Sequence, residues 1–301
     1  MGSEMCIRDR TKGDRVLTAL FYVLLTLFSL LCLYPLILAF AVAFSSEQAV
    51  SANGFSIIPQ DPSLDTFRYL LSQKMNILIQ GYGMTTLITL VGTSCSLIIT
   101  LMYAFSISMP GFRHANKFSF FAYFTMLFNG GMLPWYILCT QYYHLANTIW
   151  GLFLPYGMNV FNMFLMRNYL KTIPVSIYEA ARIDGAGYGT IFFRVTLPLS
   201  QVGLITVGLF YGLSFWNDFY LPLMLITDDS LTTMQYLLYR MMGNLQFLVS
   251  NSTSSMVSNI TPPMQTAKMA MSVLAIGPII LVYPFIQKYF VKGVIVGAIK
   301  G

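Results

Sequence analysis

Charge is what this sequence has least of. Only 9% of its 301 residues are Asp, Glu, Lys or Arg, where soluble domains carry roughly a quarter. Its two histidines, His114 and His144, are isolated. The four cysteines, Cys6, Cys32, Cys95 and Cys139, follow no metal-site spacing, and three lie in or beside apolar runs. They read as small apolar residues, neither a disulfide framework nor a metal site. No G-x4-G-K-[S/T] phosphate loop occurs, so any ATP and its magnesium are expected on a separate polypeptide. No His–Glu or Asp–Asp pairing of the kind an intramembrane enzyme needs is visible. The sequence therefore argues for a chain with no catalytic residues, no metal and no cofactor of its own.

What it has instead is oil. Hydrophobic residues make up 56% of the chain, in runs long enough to cross about 30 Å of hydrocarbon as helices. A barrel is excluded, because its strands would alternate every second residue. Six spans are expected, at residues 16–44, 77–107, 118–140, 149–166, 199–226 and 269–290. The fold class is an all-α polytopic membrane protein. The net charge of +6 does not imply nucleic acid, since the basic residues fall in short loops between apolar runs. With the N-terminus in the cytoplasm, thirteen of seventeen lysines and arginines lie inside, and only Arg68, Lys74, Arg240 and Lys268 outside, as the positive-inside rule requires. Residues 1–15 and 291–301 are then cytoplasmic tails, and the first ten residues read as a leader of non-native origin. Two outer segments are long. One has a short helix expected after Asp65, and the other a helix capped by Ser230 or the aspartates before it, then the polar "SNSTSSMVSNITPP".

One polar insert interrupts this pattern, between spans four and five on the cytoplasmic side. "YEAARIDGAGYGTIFFRVTLPLS" runs from Tyr178 to Ser200 within a loop at 171–198. Ser176 and Glu179 have capping-box spacing. A short helix is expected to run to about Asp184, with Gly185 taking the left-handed conformation that ends it. A second is expected from about Gly189, with Pro198 in the first turn of span five, where its missing N–H costs nothing. Ala180 and Ala181 leave one side thin, so another protein surface can close on it.

This spacing resembles the EAA loop, EAA-x3-G-x9-I-x-LP, of permease subunits of ATP-binding-cassette (ABC) importers. Here it is Glu179-Ala180-Ala181, Gly185, Val195 in place of Ile, and Leu197-Pro198. "MRNYLKTIPVSIYEAARIDGAG", "SFWNDFYLPL" and "QKYFVKGVIVGAIKG" look like the carbohydrate-type, maltose-permease-like branch, and "FNGGMLPWY" is similar to a subgroup linked with oligosaccharide uptake. The resemblance implies a bacterial inner-membrane permease that imports a carbohydrate. Its partners would be a cytoplasmic ATPase dimer, a second permease chain and an extracytoplasmic solute-binding protein, all acting at the lipid bilayer. It also implies that Glu179, Ala180, Ala181, Asp184, Gly185, Leu197 and Pro198 form the coupling element, and that Lys292, Gly293 and Lys300 belong to a tail reaching the ATPase.

Polar residues inside apolar runs usually face a cavity or another helix. Asn129, Asn159, Asn162 and Asp218 are the candidates for a translocation path, and bonding between helices is the alternative for each. A carrier driven by an ion gradient is the competing functional class. It would be expected to show paired membrane carboxylates or inverted repeats, and the chain offers Asp218 alone.

Overall fold

The structure, a computed structural model, describes residues 12–251 and 265–298. Among these, helices dominate and β-structure is limited to an isolated Ser45–Pro62 bridge. In order, the α-helices are α1 (Lys12–Ala43), α2 (Glu47–Asn53), α3 (Asp65–Ser108), α4 (Ala115–Leu127) and α5 (Met132–Ile137). Next come α6 (Val160–Leu170), α7 (Val175–Ile183), α8 (Tyr188–Thr190), α9 (Leu197–Leu199) and α10 (Gln201–Trp216). The last three are α11 (Tyr220–Leu225), α12 (Met234–Asn251) and α13 (Gln265–Ala298).

Among the described residues, two helices are long and apolar enough to cross a bilayer, Val16–Ala43 and Met75–Ser108. A third qualifies if Tyr188–Leu199 and Gln201–Trp216, bent by 80°, count as one span. The short helix expected after Asp65 is the beginning of α3 itself. The expected runs at 118–140, 149–166 and 199–226 are not single helices. The first breaks after Leu127, where Gly131 adopts φ +89° and donates its N–H to Asn129 Oδ1 at 2.8 Å. The second opens with two 3-10 turns, Trp150–Leu152 and Leu154–Tyr156, and becomes α-helical only at Val160. Pro155 lacks the N–H that an α-helix would use there. The third stops at Trp216 and restarts as α11.

The chain divides into two compact units, Met1–Gln73 with Ser252–Leu274, and Lys74–Asn251 with Ala275–Gly301. In the first, Ser46 caps α2 by accepting from the Ala49 amide at 3.2 Å, and Phe44 packs on Phe67 with ring centroids 4.9 Å apart. Glu47 binds the first residues of α13, accepting from the amides of Gln265 and Thr266, both at 2.9 Å.

The second unit holds a hydrophobic core in which α6 and α10 meet, with Met163, Met166, Val207, Tyr211 and Phe215 buried between α3 and the 3-10 turns. Close approach is set by glycine. A Cβ on Gly203 would sit 2.9 Å from Tyr169 Cβ and Cγ, so α10 can meet α6 only with no side chain there. The helix expected around Ser230 starts later. Asp228 caps the 3-10 turn Asp229–Leu231, and α12 begins at Met234, whose N–H donates to Thr85 Oγ1 at 2.8 Å.

Candidate functional site

Two features of the second unit carry the candidate residues. The first is the helix–turn–helix from Val175 to Leu199. Pro174 opens α7 with extended backbone (φ −58°, ψ 135°), and Ser176 lies inside the helix, so the expected capping box does not form. Proline pre-sets the entry that the serine was expected to stabilise. α7 ends at Ile183, the Ala186 N–H reaches back to Ala181 O at 2.9 Å, and Gly185 adopts φ +81°. That is the left-handed stop the sequence predicts.

Helical phase divides the motif. Tyr178 is buried in the core, and Ala181, three residues on, is half-buried against it. Ser176, Glu179, Ala180 and Ile183 lie on the opposite face, where Ile183 is 86% exposed. The two alanines therefore do different things. Ala180 keeps the outer face thin, whereas Ala181 brings α7 close to its own bundle, which corrects the expectation that both face outward. Asp184 and Gly185 are exposed at the turn.

Arg182 adds a tie that the sequence reading left unassigned. Its Nη2 donates to Pro110 O at 3.3 Å and to the Tyr188 hydroxyl at 3.4 Å, and its guanidinium lies 5.3 Å from the Tyr188 ring centroid. After Gly187 the chain is helical again through α8, a π-helical stretch Ile191–Thr196 and α9. Leu197 and Pro198 fall in α9, ahead of the 80° bend, so Pro198 sits inside the lead-in helix and does not begin α10. A π-turn spaces its hydrogen bonds one residue wider, and Leu197 N–H accordingly bonds Phe192 O just before the proline. Lys292 and Gly293 fall within α13, and Lys300 lies outside the described residues.

The second feature is a cavity of about 790 Å³ against α6, α10 and the start of α11. Asn159, Asn162 and Asp218 line it together, while Asn129 is not among its lining residues and caps the break after α4. Asn159 caps α6, its Oδ1 accepting from Asn162 N at 3.1 Å. Asp218 accepts from the amides of Tyr220 (3.1 Å) and Leu221 (3.3 Å), the first residues of α11. These are the hydrogen bonds a helix N-terminus leaves open. Tyr211 supplies a residue that sequence reasoning missed. Its hydroxyl accepts from Asn159 N at 2.8 Å and lies 2.6 Å from Thr100 Oγ1 of α3. A tyrosine inside an otherwise apolar helix was the available signal, since a buried phenol needs a partner.

This elbow and polar cavity occur in a chain that matches, over residues 2–296, the family described as binding-protein-dependent transport system inner membrane component. The chain belongs to this family. As a member it is a membrane transport component. It is 35% identical to the polygalacturonan/rhamnogalacturonan transport system permease protein YtcP of Bacillus subtilis (strain 168), over 96% of this chain and 99% of that one. It is 32% identical to Protein LplC of the same organism, over 99% and 100%. Among solved structures, a chain of a bacterial ABC transporter involved in the import of the acidic polysaccharide alginate superposes with a TM-score of 0.79. That chain is 33% identical, and the match covers 93% of this chain and 98% of that one.

Proposed function

We propose that this chain is the permease subunit of an ATP-driven, binding-protein-dependent importer for a carbohydrate, an oligosaccharide. The observation that carries the reading is the exposed face of α7. Glu179, Ala180 and Ile183 stand together on one side of a short helix whose other side is anchored in the core by Tyr178 and Ala181. Such a lever is what a motor on a separate subunit needs in order to move a bundle. The transport systems named for YtcP and for the alginate importer support the carbohydrate class and favour it over an ion-gradient carrier.

In this reading the chain crosses a bacterial inner membrane six times, near residues 16–44, 77–107, 118–140, 149–166, 199–226 and 269–290, with irregular backbone where it borders a protein-lined cavity. Both termini and the loop at 171–198 face the cytoplasm. Glu179, Ala180, Asp184 and Gly185 meet a groove of the ATPase dimer, which holds ATP and magnesium. Leu197 and Pro198 pass the motion to α10 through the bend. Lys292, Gly293 and Lys300 form a second contact with the motor. A dimeric ATPase has two grooves, so a second permease chain completes the pathway, and a solute-binding protein delivers cargo from outside. ATPase closure shifts the bundle between two discrete packings.

The test is charge reversal at Glu179 in the reconstituted importer. Glu179→Lys is expected to abolish solute-stimulated ATP hydrolysis while each subunit still assembles in the membrane. Unchanged stimulation would remove the coupling assignment.

A further inference from the structure

We propose that the lead-in helix Tyr188–Leu199 lies in the lipid–water interface of the bilayer, with acyl chains against Phe193 and Leu199 and an anionic lipid headgroup on Arg194. The proposal rests on the importer reading above for the motion this helix carries, and adds a lipid partner to it.

The bend sets the orientation. The lead-in meets α10 at 80°, with Ser200 between them. Membrane helices tilt by about 20° from the bilayer normal, so with α10 crossing the bilayer its lead-in lies within roughly 30° of the membrane plane. One side of it is fixed to this chain's own core. Ile191 and Thr196 are buried, and the Phe192 ring stands edge-on to Phe105 of α3, with centroids 5.1 Å apart. The π-helical turn decides what the other side presents. Its wider spacing brings residues about five apart onto one side. Ile191 and Thr196 thus share the buried side, while Phe193 with Pro198, and Arg194 with Leu199, share the exposed one. Phe193 is 67% exposed and Leu199 54%.

The chemistry of that side fits a lipid surface. Large apolar side chains beside an arginine and a tyrosine are the composition of helices that lie in the interface. There the apolar groups enter the acyl boundary and the cation meets phosphate. Arg194 is the one charged residue between Tyr188 and Leu199. Neither ion pair among the described residues, Arg68–Asp65 or Arg240–Asp229, includes it. Arg113 and Lys117 are exposed just beyond Pro110, whose carbonyl Arg182 binds, so the surroundings of the elbow add positive charge. An anionic headgroup complements this side. The outer face of α7 belongs to a separate helix and remains open to the motor. A helix seated in the interface slides along it without leaving it, so a push on α7 becomes a tilt of α10.

The experiment uses the complete importer in nanodiscs of phosphatidylcholine, alone or with about one-third phosphatidylglycerol. A fluorophore is attached at Phe193→Cys, with Cys6, Cys32, Cys95 and Cys139 replaced by alanine. Lipids brominated on their acyl chains are expected to quench it at least about two-fold, and to leave the same label at Ile183→Cys unaffected. No quenching at position 193 means that the ATPase, the second permease or water covers this face, and overturns the proposal. In the wild type, phosphatidylglycerol is expected to raise solute-stimulated ATP hydrolysis about five-fold, in keeping with one cation at an anionic surface. Arg194→Gln is expected to lose that increase and Arg194→Lys to keep it. An equal increase in Arg194→Gln overturns the headgroup site. If no solute stimulates ATP hydrolysis in either bilayer, the importer reading fails, while the quenching still decides where this helix lies.

Discussion

The Tyr211 hydroxyl lies 2.6 Å from Thr100 Oγ1 and accepts the N–H of Asn159 at 2.8 Å, so one phenol joins α10 to α3 and to the start of α6. Thr100 is fully buried and Tyr211 nearly so. Removing the phenol oxygen leaves the Thr100 hydroxyl and the Asn159 amide without that partner, and a buried group left unpaired costs about 1–3 kcal/mol. Tyr211→Phe is therefore expected to lower the thermal stability of the purified importer and to weaken solute uptake through a displaced Asn159. Thermal unfolding in detergent, with Thr100→Val as a companion, checks it. The double variant should cost less than the sum of the two single changes, because both remove the same bond.

The two alanines of the EAA motif give a paired test. Ala180 is exposed on the outer face of α7, while Ala181 is packed against the core. Ala180→Leu is expected to leave the stability of this chain within about 0.5 kcal/mol and to reduce ATPase binding, measured by co-purification. Ala181→Leu is expected to destabilise the chain by about 1–3 kcal/mol through overpacking, read by thermal unfolding. Equal behaviour of the two variants would contradict the division of the helix into a docking face and an anchoring face.

What the sequence made legible follows from the range of the forces involved. The elbow at 174–187 was readable in its helix and its glycine stop, which short-range chemistry sets, while its entry was misassigned to a Ser176 capping box where Pro174 opens the helix. Helix α1 was readable because uniform oil over the 28 residues Val16–Ala43 has one solution in lipid. The interruptions after Leu127 and between Ile149 and Val160 were signalled by Asn129, Gly131 and Pro155, but averaging hydropathy along a run hides single residues that break a helix. The partition of Ala180 from Ala181 needed the helical phase, which Tyr178 fixes only once the core is known. The link from Thr100 to Tyr211 joins residues 111 positions apart, and no local pattern encodes such a pairing.

Arg182 ties the elbow to the chain beyond α3, through Pro110 O and the Tyr188 ring. The side chain is exposed, so its bonds contribute little to folding, as exposed polar contacts generally do. Its effect is expected in the transmission of movement. Arg182→Met keeps much of the aliphatic stem and removes the donors. It should leave thermal stability and ATPase co-purification unchanged while raising the ATP consumed per solute imported by roughly two-fold or more, an effect of about 0.4 kcal/mol. Arg182→Lys should restore only part of the coupling, because a point charge lacks the planar stack on Tyr188.

Glu47 and Thr266 make the last testable contact. Glu47 Oε2 accepts both the Thr266 amide at 2.9 Å and the Thr266 hydroxyl at 2.7 Å, while Oε1 accepts the Gln265 amide at 2.9 Å. A carboxylate only accepts, so the Thr266 hydroxyl proton is committed to it. The proton in the 2.9 Å contact between Thr66 and Thr266 must then come from Thr66. Glu47→Gln replaces one acceptor with an NH2 group facing donors, and Thr266 is fully buried, so at least one donor loses its partner. The cost is about 1–3 kcal/mol, together with the loss of a negative charge that suits the N-terminus of α13. Hydrogen exchange at the Thr266 amide should accelerate about ten-fold or more in Glu47→Gln, since roughly 1.4 kcal/mol corresponds to a factor of ten. An unchanged exchange rate would show that this carboxylate does not hold the start of α13.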